Sequence, residues 1–188
     1  ILHHKGPVDQ AAAMIAFPTS GGIESIYESR KLELLSAIFN DRMFERFREA
    51  EGQSYSPSVS SNWPIGMNNG GSFMVAATLK PEGVDRFFAL SKEIAADLAA
   101  KPPTADEFAR ASGPMIETLN RASSGNTFWM VQMAGATRDP RRIDALKSLM
   151  TDYRRITAAD IQQAAKMWLV PGKASMVAVL PSVKSAGR

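Results

Sequence analysis

The sequence contains no cysteine and only two histidines among its 188 residues. The lack of cysteine excludes disulfide bonds, thiolate nucleophiles and cysteine-ligated zinc within the chain, and it fits an oxidising periplasm as well as a reducing cytosol. His3 and His4 are adjacent near the start, and neither histidine–glutamate zinc motif, His-Glu-x-x-His or His-x-x-Glu-His, occurs. We therefore expect no metal site in this chain, and we interpret the histidine pair as an exposed, mobile chain start.

The chain also lacks a long apolar run and a strong excess of one charge. Its longest apolar stretch near the start, residues 11–17, has the length of a strand, well short of the roughly 18 to 20 residues that span a bilayer. The 22 Lys and Arg residues against 19 Asp and Glu give a net charge of only +3, which does not demand a polyanionic partner. The sequence therefore predicts no membrane span and indicates no nucleic-acid partner.

Strand and helix patterns follow one another in a definite order. Apolar spacing predicts a strand at 10–17, a long helix at 23–50 that ends near Gly52, and a hairpin of residues 53–64 and 72–79 whose turn is Asn68–Gly71. Further helices are predicted at 81–100, 104–122, 126–136, 139–150 and 157–168, followed by a strand at 173–180.

This order of elements predicts an α+β fold, because strict alternation of strand and helix is missing. We expect a two-layer sandwich with a largely antiparallel sheet and helices packed on one face. Ile1–Arg188 is interpreted as a single domain, since no linker or repeat divides it, with a frayed tail over residues 182–188.

Arg48 and Tyr55 lie on either side of Gly52, at the junction between the long helix and the first hairpin strand. Because the chain reverses there, the guanidinium and the phenol could meet at one edge of the sheet. Both groups donate hydrogen bonds at any working pH, so the pair could bind a peptide carbonyl and stabilise an oxyanion. The alternative is a structural role, with Arg48 complementing the helix dipole and Tyr55 packing beside Val59. Spacing alone favours the structural role.

The segment around these two residues resembles a known signature. Residues 35–57, LSAIFNDRMFERFREAEGQSYSP, are similar to the non-zinc half of the pitrilysin and insulinase family of metallopeptidases, which has a helix ending in Arg-Glu, then Gly, then Tyr-Ser. The resemblance extends from about His4 to Leu180. Residues before the first strand and at the start of a later helix match that family's C-terminal domain in order and spacing: His4, Gly6, Asp9, Gln10, Pro103, Thr104 and Glu107.

The resemblance implies the C-terminal domain of a processing-peptidase-like zinc metalloendopeptidase. In such enzymes the zinc motif lies in an N-terminal domain, and an arginine and a tyrosine of the homologous partner domain contact the substrate. By resemblance these are Arg48 and Tyr55, which would bind the peptide and stabilise the oxyanion. The partner is then a zinc-bearing homologous domain or subunit, and this chain would bind no cofactor and would be inactive alone.

Two matters stay open after the resemblance is taken into account. A noncatalytic scaffold or partner subunit of the same fold is the alternative function, and the presence of Arg48 and Tyr55 argues against it. The location is periplasmic or cytoplasmic, with the periplasm slightly favoured by resemblance.

Trp129, Met130 and Met133 are candidates for contact with the other half, but a methionine and aromatic stripe at helical spacing more often belongs to a core.

Overall fold

The structure is a computed structural model that describes the backbone of residues 1–51 and 57–182 and the side chains of residues 1–47 and 57–182. The strands are β1 (Leu2–His4), β2 (Ala11–Ser20), β3 (Ser58–Asn62), β4 (Asn69–Leu79) and β5 (Ser175–Pro181). They form one sheet in the order β1-β5-β2-β4-β3. Neighbouring strands pair antiparallel except β1 and β5, which are parallel.

The helices of the described residues are α1 (Ile26–Glu51), α2 (Val84–Ala100), α3 (Ala105–Ala122), α4 (Asn126–Gln132), α5 (Arg141–Arg155) and α6 (Ala158–Trp168). Helices α1, α2 and α6 pack on the sheet, while α3 and α5 pack against α1. The predicted α+β sandwich, with a largely antiparallel sheet and helices on one face, is confirmed.

The core lies between the sheet and these helices because alternate strand residues point toward the helical layer. Along β2 the odd-numbered residues from Ala11 to Phe17 are buried, and the neighbouring strand β4 contributes a second buried row. Phe73 of β4 meets Phe39 of α1 edge to face, with ring centroids 5.5 Å apart, and Phe17 at 6.4 Å. These contacts fix the position of the middle of α1 over the centre of the sheet.

Two capping boxes start helices where the sequence predicts helix starts. At α3 the Thr104 hydroxyl accepts from the Glu107 backbone N–H, and the Thr104 backbone N–H donates to the Glu107 carboxylate. Thr157 and Asp160 make the same two hydrogen bonds at α6. The helix predicted to begin at residue 139 begins slightly later, since α5 starts at Arg141 with Pro140 as its N-cap.

The beginning of the chain corrects one expectation. His3 and His4 belong to β1, which pairs with β5 through Leu2↔Val179 and His4↔Pro181. The His4 ring lies 2.8 Å from the Gln10 carbonyl through Nε2, and its Nδ1 accepts from the Gly6 backbone N–H at 2.9 Å. His4 is therefore a structural residue of the sheet edge and not part of a mobile start.

The hairpin of β3 and β4 is confirmed, but one of its boundaries and the end of the neighbouring strand β2 differ from the predicted ones. β2 continues through Pro18, which is possible because β5 pairs with β2 only as far as Ala16 and leaves Pro18 with one neighbouring strand. Asn69, Gly70 and Gly71 belong to β4, so the turn lies before them. The part of the first predicted hairpin strand before Pro57 lies outside the described residues.

Helix α4 corrects the expectation that its apolar stripe belongs to the core. Trp129 is 43% exposed, Met130 75% and Met133 52%, and α4 contains no buried residue. The stripe therefore lies on the molecular surface, where the Trp129 indole donates to the Ser123 carbonyl at 2.8 Å.

Candidate functional site

The structure does not describe the side chains of the two predicted substrate-binding residues, Arg48 and Tyr55. The backbone of Arg48 is part of α1, but its side chain lies outside the described set, and Tyr55 lies entirely outside it. The described chain ends at Glu51 of α1 and resumes at Pro57, directly before β3. β3 is an edge strand of the sheet. The meeting of the two side chains therefore stays a prediction.

The C-terminal half of α1, which carries Arg48, is tied to α3 by an arginine–carboxylate pair. Arg42 donates from Nε to Oε1 of Glu107 at 2.7 Å and from Nη2 to Oε2 at 3.1 Å. Their side chains are only 13% and 18% exposed. This two-point geometry is the strong form of such a pair, since it fixes orientation as well as distance.

The Glu107 carboxylate is also held from the other side. Its Oε2 accepts from the backbone N–H of Thr104 at 2.7 Å, which closes the capping box of α3. The hydrogen bonds from Arg42 lower the pKa of Glu107 to about 2. Glu107 is therefore ionised at every physiological pH, and the pair with Arg42 is permanent.

Two weaker ion pairs lie beside this one. Arg46 donates to Asp97 of α2 at 2.7 Å, and Arg110 of α3 approaches Glu45 at 3.5 Å. Their side chains are 37–56% exposed, so each stabilises the fold by less than the Arg42 pair. We refer to residues Arg42, Glu45, Arg46, Asp97, Glu107 and Arg110 as the α1 anchor.

The opposite end of α1 is fixed by a separate, more deeply buried group. Arg30 and Asp152 of α5 form an ion pair and are each 4% exposed. Arg30 also donates from Nη1 to the Ser148 hydroxyl at 3.0 Å. Next to them the Tyr153 hydroxyl donates to the Glu33 carboxylate, and burial, with the nearby Glu33 charge, raises the pKa of this phenol. Tyr153 therefore stays protonated and acts as a structural donor.

The face of the sheet that points away from the helices has an apolar centre on β2, β4 and β5, while the outward row of the edge strand β3 is polar, with Ser58, Ser60 and Asn62. Strands β2 to β5 contain no Asp, Glu, Lys or Arg. A shallow concavity of about 310 Å³ on this face is lined by small or apolar side chains, including Ala12, Met14, Ala76 and Val179. We call this surface the open sheet face, and its uncharged, apolar centre is unusual, because the outward residues of an exposed sheet are normally polar.

Among the residues that the structure describes, no group of three or more histidine, cysteine, aspartate or glutamate side chains is arranged to hold a metal ion. Over the same residues, no helix is both long enough and apolar enough to cross a bilayer.

The α1 anchor and the open sheet face are features that sequence reasoning missed. Arg42 and Glu107 are 65 residues apart, and no local pattern links them. The only signal was the capping box, which identified Glu107 as a helix-start residue. The open sheet face was visible as uncharged strands, but one strand sequence cannot show which of its two faces is covered.

Solved structures share this architecture. The peptidase M16 inactive domain from Pseudomonas fluorescens has a TM-score of 0.77 and 19% identity, over 97% of this chain and 43% of that one. The periplasmic protease PqqL from Escherichia coli has a TM-score of 0.75 and 16% identity, over 96% of this chain and 20% of that one. The inactive peptidase domain of a candidate zinc protease from Bordetella parapertussis has a TM-score of 0.79 and 16% identity, over 97% and 98%. The chain therefore has the fold that these peptidase inactive domains share.

The sequence supports the same class directly. The family model described as "Peptidase M16 inactive domain" matches residues 1–113. The chain belongs to this family, which confirms the resemblance. No curated protein matches the chain. The chain spans about two fifths of the length of the Pseudomonas fluorescens chain that it resembles.

Proposed function

We propose that the chain is the C-terminal, non-zinc domain of a zinc metalloendopeptidase and contributes Arg48 and Tyr55 to an active site whose metal lies in a companion domain or subunit. The observation that carries this proposal is the family match over residues 1–113, which includes both residues.

The chemical roles follow from the two side chains. In the companion half, zinc would activate a water molecule for attack on a peptide carbonyl. Arg48 carries a permanent positive charge and Tyr55 a protonated hydroxyl, so together they would hold the peptide and stabilise the negative charge that develops on the carbonyl oxygen. Neither residue needs to exchange a proton in these roles.

The companion half needs a surface to bind, and we propose the open sheet face. Ala12, Ala76 and Val179 present apolar area without charged neighbours in their strands. Covering such a face releases water from apolar surface and desolvates no charge, which favours a large and stable interface. Small side chains at its centre leave room for a partner element to approach.

The test combines the chain with a homologous domain that carries the inverted zinc motif and measures hydrolysis of a fluorogenic peptide. Arg48→Ala and Tyr55→Phe should each lower kcat/KM by about 10- to 1,000-fold, since each removes one donor to the developing oxyanion. Arg86→Ala and Tyr27→Phe are the matched controls, because both residues lie in helices outside the 48–55 segment. They should leave kcat/KM within about twofold.

The outcomes separate the two functions considered. Restored hydrolysis that neither Arg48→Ala nor Tyr55→Phe reduces would refute the assigned roles. Formation of a stable complex without hydrolysis of any peptide in a diverse library would instead favour the noncatalytic scaffold.

A further inference from the structure

We infer that Arg42 and Glu107 form a positioning pair, which fixes the end of α1 so that Arg48 is presented in a catalytically productive position. This inference rests on the proposed function of Arg48. It assigns to two residues, distant in sequence from the predicted signature, a role in the same reaction.

Arg42 and Arg48 lie close together on one rigid helix. Arg48 follows Arg42 by six residues on α1, which corresponds to about 9 Å along the helix axis. A helix transmits a displacement of one turn to the next, so the orientation of the turn that contains Arg42 sets that of the turn that contains Arg48.

The Glu107 carboxylate that holds Arg42 is itself rigidly fixed. Glu107 receives two hydrogen bonds from Arg42, at 2.7 and 3.1 Å, and a third from the Thr104 backbone at 2.7 Å. The carboxylate therefore cannot rotate without losing either the capping box or the arginine pair. The exposed pairs of Arg46 and Arg110 add restraint at the same level of the helix.

The stability of the fold does not depend on the Arg42 pair alone. The buried Arg30–Asp152 pair fixes α1 to α5 at its other end, twelve residues before Arg42 and about 18 Å away along the axis. Phe39, between the two pairs, is fully buried in the core. Weakening the Arg42 pair should therefore loosen the end of α1 without unfolding the domain.

A loosened helix end is expected to affect turnover strongly. Displacement of a catalytic group by about 1 Å can cost about 100-fold in rate. A displaced Arg48 would stabilise the transition state less well, so the loss should appear mainly as a lower kcat. KM depends on all contacts with the peptide and should change less.

The experiment uses the chain combined with the zinc-bearing domain and measures kcat and KM for peptide hydrolysis in variants of the pair. Glu107→Gln removes the charge that holds Arg42, yet glutamine still closes a capping box. Arg42→Gln removes the guanidinium fork. Both should lower kcat at least fivefold with KM within about threefold, and Arg42→Lys should recover part of the loss. Asp160→Asn, the equivalent change in the capping box of α6, should leave kcat within about twofold.

A double-mutant cycle then asks whether the pair acts through Arg48. In the Arg48→Ala background, Glu107→Gln should cause no further loss of kcat. Fully multiplicative losses, or unchanged kcat in both Glu107→Gln and Arg42→Gln, would overturn the inference. If Arg48→Ala itself has no effect, the proposed function fails instead, so the two failures are distinguishable.

Discussion

At the scale of single residues, Glu107 links two structural tasks through one carboxylate. It closes the capping box of α3 and pairs with Arg42 of α1, and the hydrogen bonds from Arg42 lower its pKa to about 2. An unfolded glutamate has a pKa near 4.3. Since the folded value is the lower one, the pair stabilises the fold above the unfolded pKa, and this contribution is lost as the pH falls toward about 2.

This linkage predicts a change in acid stability. Between about pH 5 and pH 2 the free energy of unfolding of Glu107→Gln should fall less steeply than that of the unmodified chain, by on the order of 2 kcal/mol in total. Urea denaturation followed by circular dichroism at several pH values measures it. Asp106→Asn, an exposed carboxylate of the same helix turn with a 75% exposed side chain, is the control and should follow the unmodified chain closely. Parallel curves for Glu107→Gln and the unmodified chain would contradict the assigned pKa.

Two glycines show how the same substitution should have opposite effects at different positions. A Cβ at Gly71 would collide with the Ser20 carbonyl oxygen and lie 2.9 Å from that of Asn62, whereas a Cβ at Gly113 of α3 meets nothing within 4 Å. Gly71→Ala should therefore destabilise the chain by about 2 kcal/mol or more, because backbone must move in the hairpin. Gly113→Ala should stabilise it by about 0.5–1 kcal/mol through helix propensity. Thermal unfolding of both variants tests the pair, and a shift of the same sign in both would contradict it.

At the scale of elements, α1 is held at both ends by arginine–carboxylate pairs, and the N-terminal one carries the greater share of stability. Asp152→Asn would leave Arg30 buried without its charged partner. We expect a loss of about 3–5 kcal/mol, the usual cost of breaking a buried pair on one side. Asp144→Asn on the same helix removes an 82% exposed carboxylate and should change stability by less than about 0.5 kcal/mol. Equal chemical-denaturation midpoints for the two variants would show that the buried pair does not anchor α5.

Most elements were predictable from the sequence because each carries its own local signal. The capping boxes of α3 and α6 and the apolar spacing of α1 placed three helices correctly. β1 was missed because a strand of three residues has no readable period. The predicted end of α5 at Met150 was five residues early, since Asp152 and Tyr153 are polar in sequence but buried in the fold.

The contacts between elements could not be predicted, because they join residues far apart in the chain. The pair of Arg42 with Glu107 and that of Arg30 with Asp152 depend on helix packing that no local pattern specifies. For the same reason the apolar stripe of α4 gave a wrong assignment to the core. Helical spacing shows that one face is apolar but not whether another part of the same domain covers it.

At the scale of the whole molecule, the helical layer covers one face of the sheet and leaves the opposite face exposed. The helical layer buries the inward rows of β2 and β4, but the open sheet face leaves Ala12 exposed and Met14 and Ala76 half-buried. Contiguous apolar patches that stay exposed on a folded domain often mark interaction sites. The chain spans about two fifths of the related Pseudomonas fluorescens chain, so we expect the companion half of the proposed peptidase to cover this face.

The last prediction tests that expectation by placing a charge on the open sheet face. Ala12→Glu should leave the stability of the isolated chain nearly unchanged, since Ala12 is exposed at the rim of the concavity. It should weaken binding of the zinc-bearing half by at least about tenfold in Kd, because a carboxylate would then be buried without a partner at an apolar interface. Met130→Glu, at a 75% exposed apolar side chain of α4, tests the other candidate contact surface and should leave Kd within about threefold. Met167→Glu, at a 59% exposed apolar side chain of α6 in the helical layer, is the matched control and should also leave Kd within about threefold. Isothermal titration calorimetry measures all three variants, and weakening by Met130→Glu with unchanged binding by Ala12→Glu would place the companion on the apolar stripe of α4 instead.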